Sequence, residues 1–168
     1  MQRCKGFTLV ELLIVVILIG IIAAIAGLSL QAYTLNRNLK TAARDIVTDF
    51  TLCREKAISE SVTYQIVFVP GSNSNYTISQ LDNIGNPVIA TAITKVPSAF
   101  GSDINIASVG FGPAQAQTVT FSPRGIVSPL GNPPPNVDGV VLIESIRQST
   151  ATVTVSATGR TYVTTNLK

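Results

Sequence analysis

The 168-residue chain has no histidine, no tryptophan, one methionine and two cysteines, Cys4 and Cys53. Without histidine the commonest general base and metal ligand is missing, so serine–histidine and cysteine–histidine triads and His-ligated zinc or haem are excluded. Charged residues make up only 12% of the chain, about half the usual share, and twelve Lys+Arg against nine Asp+Glu leave a net charge of +3. So little charge in a chain that is 46% apolar argues against disorder and against a broad nucleic-acid surface. No P-loop, Gly-x-Ser-x-Gly or Cys-based metal spacing occurs. Gly110-Phe111-Gly112-Pro113 lacks the third glycine of a nucleotide loop, and its proline removes a backbone donor. No catalytic residue, metal or cofactor is expected.

The apolar residues that are present are concentrated. Leu12 to Leu28 reads LLIVVILIGIIAAIAGL, and no charge occurs between Glu11 and Arg37. As a helix, Phe7 to Leu30 would span roughly 36 Å, enough for a hydrocarbon core of about 30 Å. Arg3 and Lys5 precede the run, which keeps the N-terminus cytoplasmic and places the rest on the far side. A cleaved secretory signal ending near Ala24-Ile25-Ala26 is the competing reading. Glu11 argues against it. A carboxylate inside a span costs roughly 2.5–3.5 kcal/mol on insertion scales, so it needs a task and a partner.

Lys5-Gly6-Phe7-Thr8-Leu9-Val10-Glu11, followed by the apolar run, resembles the class III signal of type IV pilins and type II secretion pseudopilins. The resemblance implies cleavage by prepilin peptidase between Gly6 and Phe7, N-methylation of Phe7, and a requirement for Glu11 in filament assembly. The residues suit that chemistry. Glycine offers no side chain to obstruct a peptidase. The new amine on Phe7, with a pKa normally near 8, is cationic and needs an anion in an apolar filament core. Glu11, one helical turn on, can serve its own amine or a neighbouring subunit's. The organisation implied is a leader of residues 1–6, a transmembrane and filament-core helix at 7–30, and a head at 31–168. Residues 31–60 of the head continue the helix and 61–168 are β-rich. The implied location is the bacterial inner membrane, single-pass with a periplasmic head, and then the pilus or pseudopilus. The implied partners are the prepilin peptidase, other major and minor pilins or pseudopilins, inner-membrane lipid and the assembly platform. Cleavage would leave ten basic and nine acidic side chains, with Cys53 the only cysteine. Leu28 stands where many major pilins carry a helix-breaking proline, so only Gly27 offers a point of bending.

From Tyr33 to Glu60, Leu35, Leu39, Ala42, Ala43, Ile46, Phe50, Cys53 and Ala57 recur at helical spacing. With no proline across 7–60, one helix of roughly 80 Å is expected. Cys53 reads as a small core residue, and Asp45 and Asp49 as part of a solvated face. Beyond Ser61 the pattern becomes β: strands at 63–69, 75–81, 88–96, 117–121 with 126–127 continuing, 140–145, 151–157 and 161–165, broken by Gly, Pro and Asn turns. The fold class expected is α+β, pilin-like, with one long N-terminal helix packed on antiparallel sheet. Loops 70–75 and 129–136 are the expected variable contacts.

Three head segments narrow the resemblance. Arg54-Glu55-Lys56-Ala57-Ile58 with Val62-Thr63, Phe121-Ser122-Pro123-Arg124-Gly125, and Ala157-Thr158-Gly159-Arg160 together resemble GspH/FimT-type minor pilins. That implies a minor subunit, structural and assembly-initiating, of a type II secretion pseudopilus or type IV pilus. The alternative is a DNA-binding minor pilin for natural transformation, using Arg124, Arg147, Arg160 and Lys168. Gly159-Arg160-Thr161-Tyr162 lacks the second arginine of that subgroup's C-terminal element, and ordinary turn and surface cations account for the same four residues. A third reading, a membrane-tethered enzyme, has no motif behind it.

Overall fold

The computed structural model describes residues 8–112, 114–128, 139–145 and 148–168, with the side chains of 25–32 outside the description. The chain divides into two compact units, residues 1–35 and 36–168. Helix α1 covers Leu9–Glu60 without a break, as expected where no proline removes a backbone donor and clashes with the preceding turn. In the first unit every described side chain from Thr8 to Ala24 is exposed, twelve of them from Leu9 to Ala24 being Leu, Ile or Val.

In the second unit, nine strands follow the helix among the described residues: β1 (Tyr64–Val69), β2 (Asn75–Gln80), β3 (Ile93–Lys95), β4 (Ile104–Gly110), β5 (Thr118–Phe121), β6 (Val127–Ser128), β7 (Gly139–Ser145), β8 (Thr150–Val155) and β9 (Thr161–Asn166). They form two sheets, in the orders β3-β2-β1-β5-β6 and β4-β7-β8-β9. All pairings are antiparallel. The α+β expectation holds. The apolar stripe Leu39, Ala42, Ala43, Ile46, Phe50, Cys53 and Ala57 is buried, and forms one core with strand residues such as Ile66, Phe68, Ile106, Val119, Ile143 and Val153. Cys53 is that small core residue. Phe50 is the hub, with the rings of Phe68, Phe111 and Phe121 at 6.0, 6.3 and 5.9 Å. Small alanines beside a central aromatic let the sheets approach the helix closely.

Three expectations need correction. Residues 88–96 are not one strand. Ile89–Thr91 is a 3-10 turn, and the Thr91 hydroxyl takes the Gln80 amide at 3.1 Å, a bond that a strand backbone would otherwise make. Only Ile93–Lys95 pairs. Strand β4 was not expected, because its apolar alternation fails where a bulge between Ile106 and Ser108 shifts the register. Asp49 does not lie on a solvated face; it is 3% exposed. The loop 129–136 lies outside the described residues.

Candidate functional site

The start of α1 carries a polar arrangement. Thr8 precedes α1, and its Oγ1 accepts the Glu11 amide at 3.3 Å while its carbonyl accepts the Leu12 amide at 3.2 Å. Thr8 is therefore the N-cap and Glu11 the N3 residue, the spacing of a capping box. This placement sets the Glu11 carboxylate in the first turn, where unpaired amides and the helix dipole favour an anion. The helix thus supplies part of what an acidic residue needs in an otherwise apolar stretch. Gly6 and Phe7 lie outside the described residues. Among the described residues no helix is long and apolar enough to cross a membrane.

In the head, the three segments that carry the family resemblance meet on one side chain. Half-buried Arg54 donates its Nε–H to the Gly125 carbonyl at 3.3 Å. Gly125 closes the turn 122–125 at φ +72° and Gly159 closes the turn 156–160 at φ +77°, with backbone bonds of 2.8 Å to Ser122 and Ser156. A Cβ on Gly125 would lie 3.2 Å from Arg54 Nε, and one on Gly159 only 2.7 Å from Arg54 Cδ and Nε. Glycine is required at both positions for its left-handed backbone and for the close approach of the guanidinium. The two turns are tied further by the Val127 amide on the Ala157 carbonyl at 3.2 Å. Segments that are weak signals in sequence thus form one structural knot.

Arg124 and Arg160 are exposed on those two turns. Lys168 lies at the other end of the head. Its amide donates to Ser149 Oγ at 2.9 Å, its carbonyl accepts Asn36 Nδ2 at 3.3 Å, and its Nζ reaches Gln148 Oε1 at 3.3 Å. Asn36 and Arg54 are about 27 Å apart along α1 at 1.5 Å per residue. The structure brings Arg124 and Arg160 towards each other and does not bring Lys168 to them. Arg147 lies outside the described residues.

The head also contains a polar cluster that sequence reasoning missed. Tyr76 OH lies 2.7 Å from Asp49 Oδ2 and 3.1 Å from Asp45 Oδ2, and Lys95 Nζ lies 2.8 Å from the Asp49 carboxylate and 3.1 Å from Asp45. The hydroxyl has one proton, and the shorter contact to Asp49 takes it. Burial, reinforced by the bond to Asp49, raises Tyr76 above the ordinary tyrosine range. For Lys95 burial disfavours the charge, but the bonds to Asp49 and Asp45 outweigh it and hold the ammonium above the ordinary lysine range. The cluster fastens edge strand β3 to α1. One signal was legible: Asp49 is three residues after Ile46 and four before Cys53, on the buried stripe itself.

Two family models match the chain. The prokaryotic N-terminal methylation motif covers residues 1–27, and type II transport protein GspH covers residues 42–159. No curated protein sequence matches significantly. Among solved structures, the minor pseudopilin EpsH from the type 2 secretion system of Vibrio cholerae aligns with a TM-score of 0.54 at 15% identity, over 76% of this chain and 97% of that one. The type IV minor pilin FimU of Pseudomonas aeruginosa PAO1 aligns with a TM-score of 0.57 at 15% identity, over 79% and 92%. At that identity the likeness is one of fold, and it is the fold derived above. With most of its head matched, and with a methylation motif at its N-terminus, this chain belongs to the GspH family of type II transport proteins, a family of minor pilins and pseudopilins.

Proposed function

We propose that the chain is a structural, assembly-initiating minor subunit of a type II secretion pseudopilus or type IV pilus, without enzymatic activity. The observation that carries the reading is the union of a GspH head with an exposed apolar helix bearing a single carboxylate at its N3 position. Exposed apolar surface on that scale requires lipid or packed helices around it. Residues 7–30 span the inner membrane once, with the N-terminus cytoplasmic and the head periplasmic. Prepilin peptidase cuts between Gly6 and Phe7 and methylates the new amine. The subunit then leaves the bilayer through its apolar helix with the aid of an inner-membrane assembly platform.

Glu11 gives the docking step its register. A carboxylate at N3 is tolerable within one chain because the helix terminus favours it. In an apolar filament core it becomes strongly favourable only beside a cationic amine, and the amine of a neighbouring subunit's first residue is the group at that depth. The pairing rewards one axial alignment and penalises others. Glu11→Val is expected to insert into membranes at the wild-type level and to be absent from sheared filaments. Normal incorporation of that variant would overturn the assignment. Because Arg124 and Arg160 lie at one end of the head and Lys168 at the other, DNA capture is not part of the proposed function.

A further inference from the structure

Among the described residues the two sheets end in four edge strands, β3 and β6 in one and β4 and β9 in the other. Three of these edges are blunted. Strand β3 is three residues long and carries Lys95, β6 has two residues, and β4 is broken by its bulge. Short strands, charges and bulges are devices that keep an edge from pairing with another chain. Strand β9 has none of them. Its six residues, TYVTTN, pair with β8 in unbroken register and include no charge, proline or glycine. A regular edge without such a device suits the addition of a further strand.

The hydrogen-bond phase shows which groups this edge offers. At the β7–β8 turn the Ser145 amide donates to the Ser149 carbonyl at 3.0 Å, and at the β8–β9 turn the Ser156 amide donates to the Arg160 carbonyl at 2.8 Å. Antiparallel partners alternate between bonded and non-bonded pairs. Counting on from Arg160, the backbones of Tyr162, Thr164 and Asn166 face β8, and those of Thr161, Val163 and Thr165 face outward. Among the described residues no other backbone group bonds these three. Thr165 is exposed and Thr161 and Val163 are half-buried, so solvent reaches the edge.

Charge restricts the occupant. From Ser145 onward the chain has no acidic residue, and its cations there are Arg147, Arg160 and Lys168. Arg160 and Lys168 bracket β9 and are exposed. They stand about 26 Å apart at 3.3 Å per residue. The Lys168 ammonium meets the neutral Gln148 Oε1 at 3.3 Å. A second copy of the chain is a poor occupant. Full antiparallel overlap of two β9 strands sets Arg160 of one copy beside Lys168 of the other, and like charges placed opposite each other are destabilising. No other segment of this chain fits either, because no two of its acidic residues share the Arg160-to-Lys168 spacing.

We propose that the outer edge of β9 docks an extended segment of another protein that carries acidic residues at both ends, spaced to face Arg160 and Lys168. The segment extends the sheet β4-β7-β8-β9 by one strand. Its backbone pairs with the outward groups of Thr161, Val163 and Thr165, and its end charges fix the register. This head contact is additional to docking through the apolar helix and does not require Glu11.

The test uses the full chain in detergent and a fluorescein-labelled peptide, EVTVTVTVE, read by fluorescence anisotropy, with KVTVTVTVK as its charge-reversed counterpart. Wild type is expected to bind the acidic peptide at least about tenfold more tightly than the basic one, with affinity falling as salt rises. Thr165→Pro removes one outward N–H and spares the bonds to β8, since proline is tolerated where the N–H of an edge strand faces solvent. It should weaken binding at least about tenfold. The double variant Arg160→Glu/Lys168→Glu should reverse the preference between the peptides, and it decides if Thr165→Pro does not fold. Glu11→Val should bind as wild type does, which separates this contact from filament docking. No binding by wild type at about 1 mM peptide, unchanged binding by folded Thr165→Pro, or an unreversed preference in the double variant would overturn the proposal. So would a DNA duplex that binds more tightly than the acidic peptide, or dimers of the chain that Thr165→Pro abolishes.

Discussion

Replacing Asp49 by alanine tests whether the helix is tied to β3 through a buried carboxylate. Asp49 accepts from Tyr76 OH at 2.7 Å and from Lys95 Nζ at 2.8 Å. The tyrosine is 2% exposed and loses a charge-assisted bond, worth about 1.5–3 kcal/mol. Lys95 is one-third exposed and keeps Asp45, so its loss is discounted to about 0–1 kcal/mol. The sum is about 2–4 kcal/mol. At roughly 3–5 °C per kcal/mol for a head of this size, the melting temperature should fall by about 6–20 °C. Asp45→Ala is the control. Asp45 is 28% exposed at its side chain and makes only the two longer contacts, so its loss should cost under about 1 kcal/mol. Unfolding followed by far-ultraviolet circular dichroism reads both. Equal and small effects of the two substitutions would refute the reasoning and return Asp49 to a solvated face.

The remaining predictions concern packing, turns and pH. A Cβ on Gly139 would run into the Phe111 ring and lie 3.0 Å from Val155 Cγ1, so Gly139→Ala should cost about 1–3 kcal/mol in urea unfolding. Gly139→Val should cost more. Gly159→Ala should cost about 1–2 kcal/mol for its left-handed backbone, plus a clash with Arg54 that a double-mutant cycle with Arg54→Ala removes. Burial, with a contribution from Asp49, pushes the Cys53 thiol up to about 12, and Tyr76 and Lys95 are raised as well. The folded state therefore keeps protons that the unfolded state releases above about pH 9, so stability is full below that pH and falls as pH rises. Buried Cys53 and Tyr76 each contribute about 1.4 kcal/mol per pH unit while only the unfolded form titrates, and Lys95, one-third exposed, contributes less. A urea midpoint at pH 10.5 equal to that at pH 8 would contradict this.

What could be read from the sequence follows from where the information lies. The helix Leu9–Glu60 is legible because its apolar stripe and lack of proline are local properties. The hairpin β7–β8 is legible because alternating Val, Ile and Thr flank a polar turn. Strand β4 is not, since a bulge erases its period. Asp49 was misread because its partners, Tyr76 and Lys95, are 27 and 46 residues away and arrive only with the sheet. Glu11 shows the opposite case. Its isolation in an apolar run marks it in sequence, and the structure places it at N3 of a helix capped by Thr8, where the helix dipole favours an anion. The Arg54 knot lies between these extremes. Its three segments are visible separately, but only folding shows that two glycines and one arginine meet.

The central claim is that the chain is processed and assembled as a prepilin. The most direct measurement is the intact mass of the full chain, extracted from membranes after co-expression with a prepilin peptidase. The account predicts loss of residues 1–6, one added methyl group on Phe7, and retention in the membrane fraction. A soluble product beginning near Gly27, cut after Ala24-Ile25-Ala26, would contradict it.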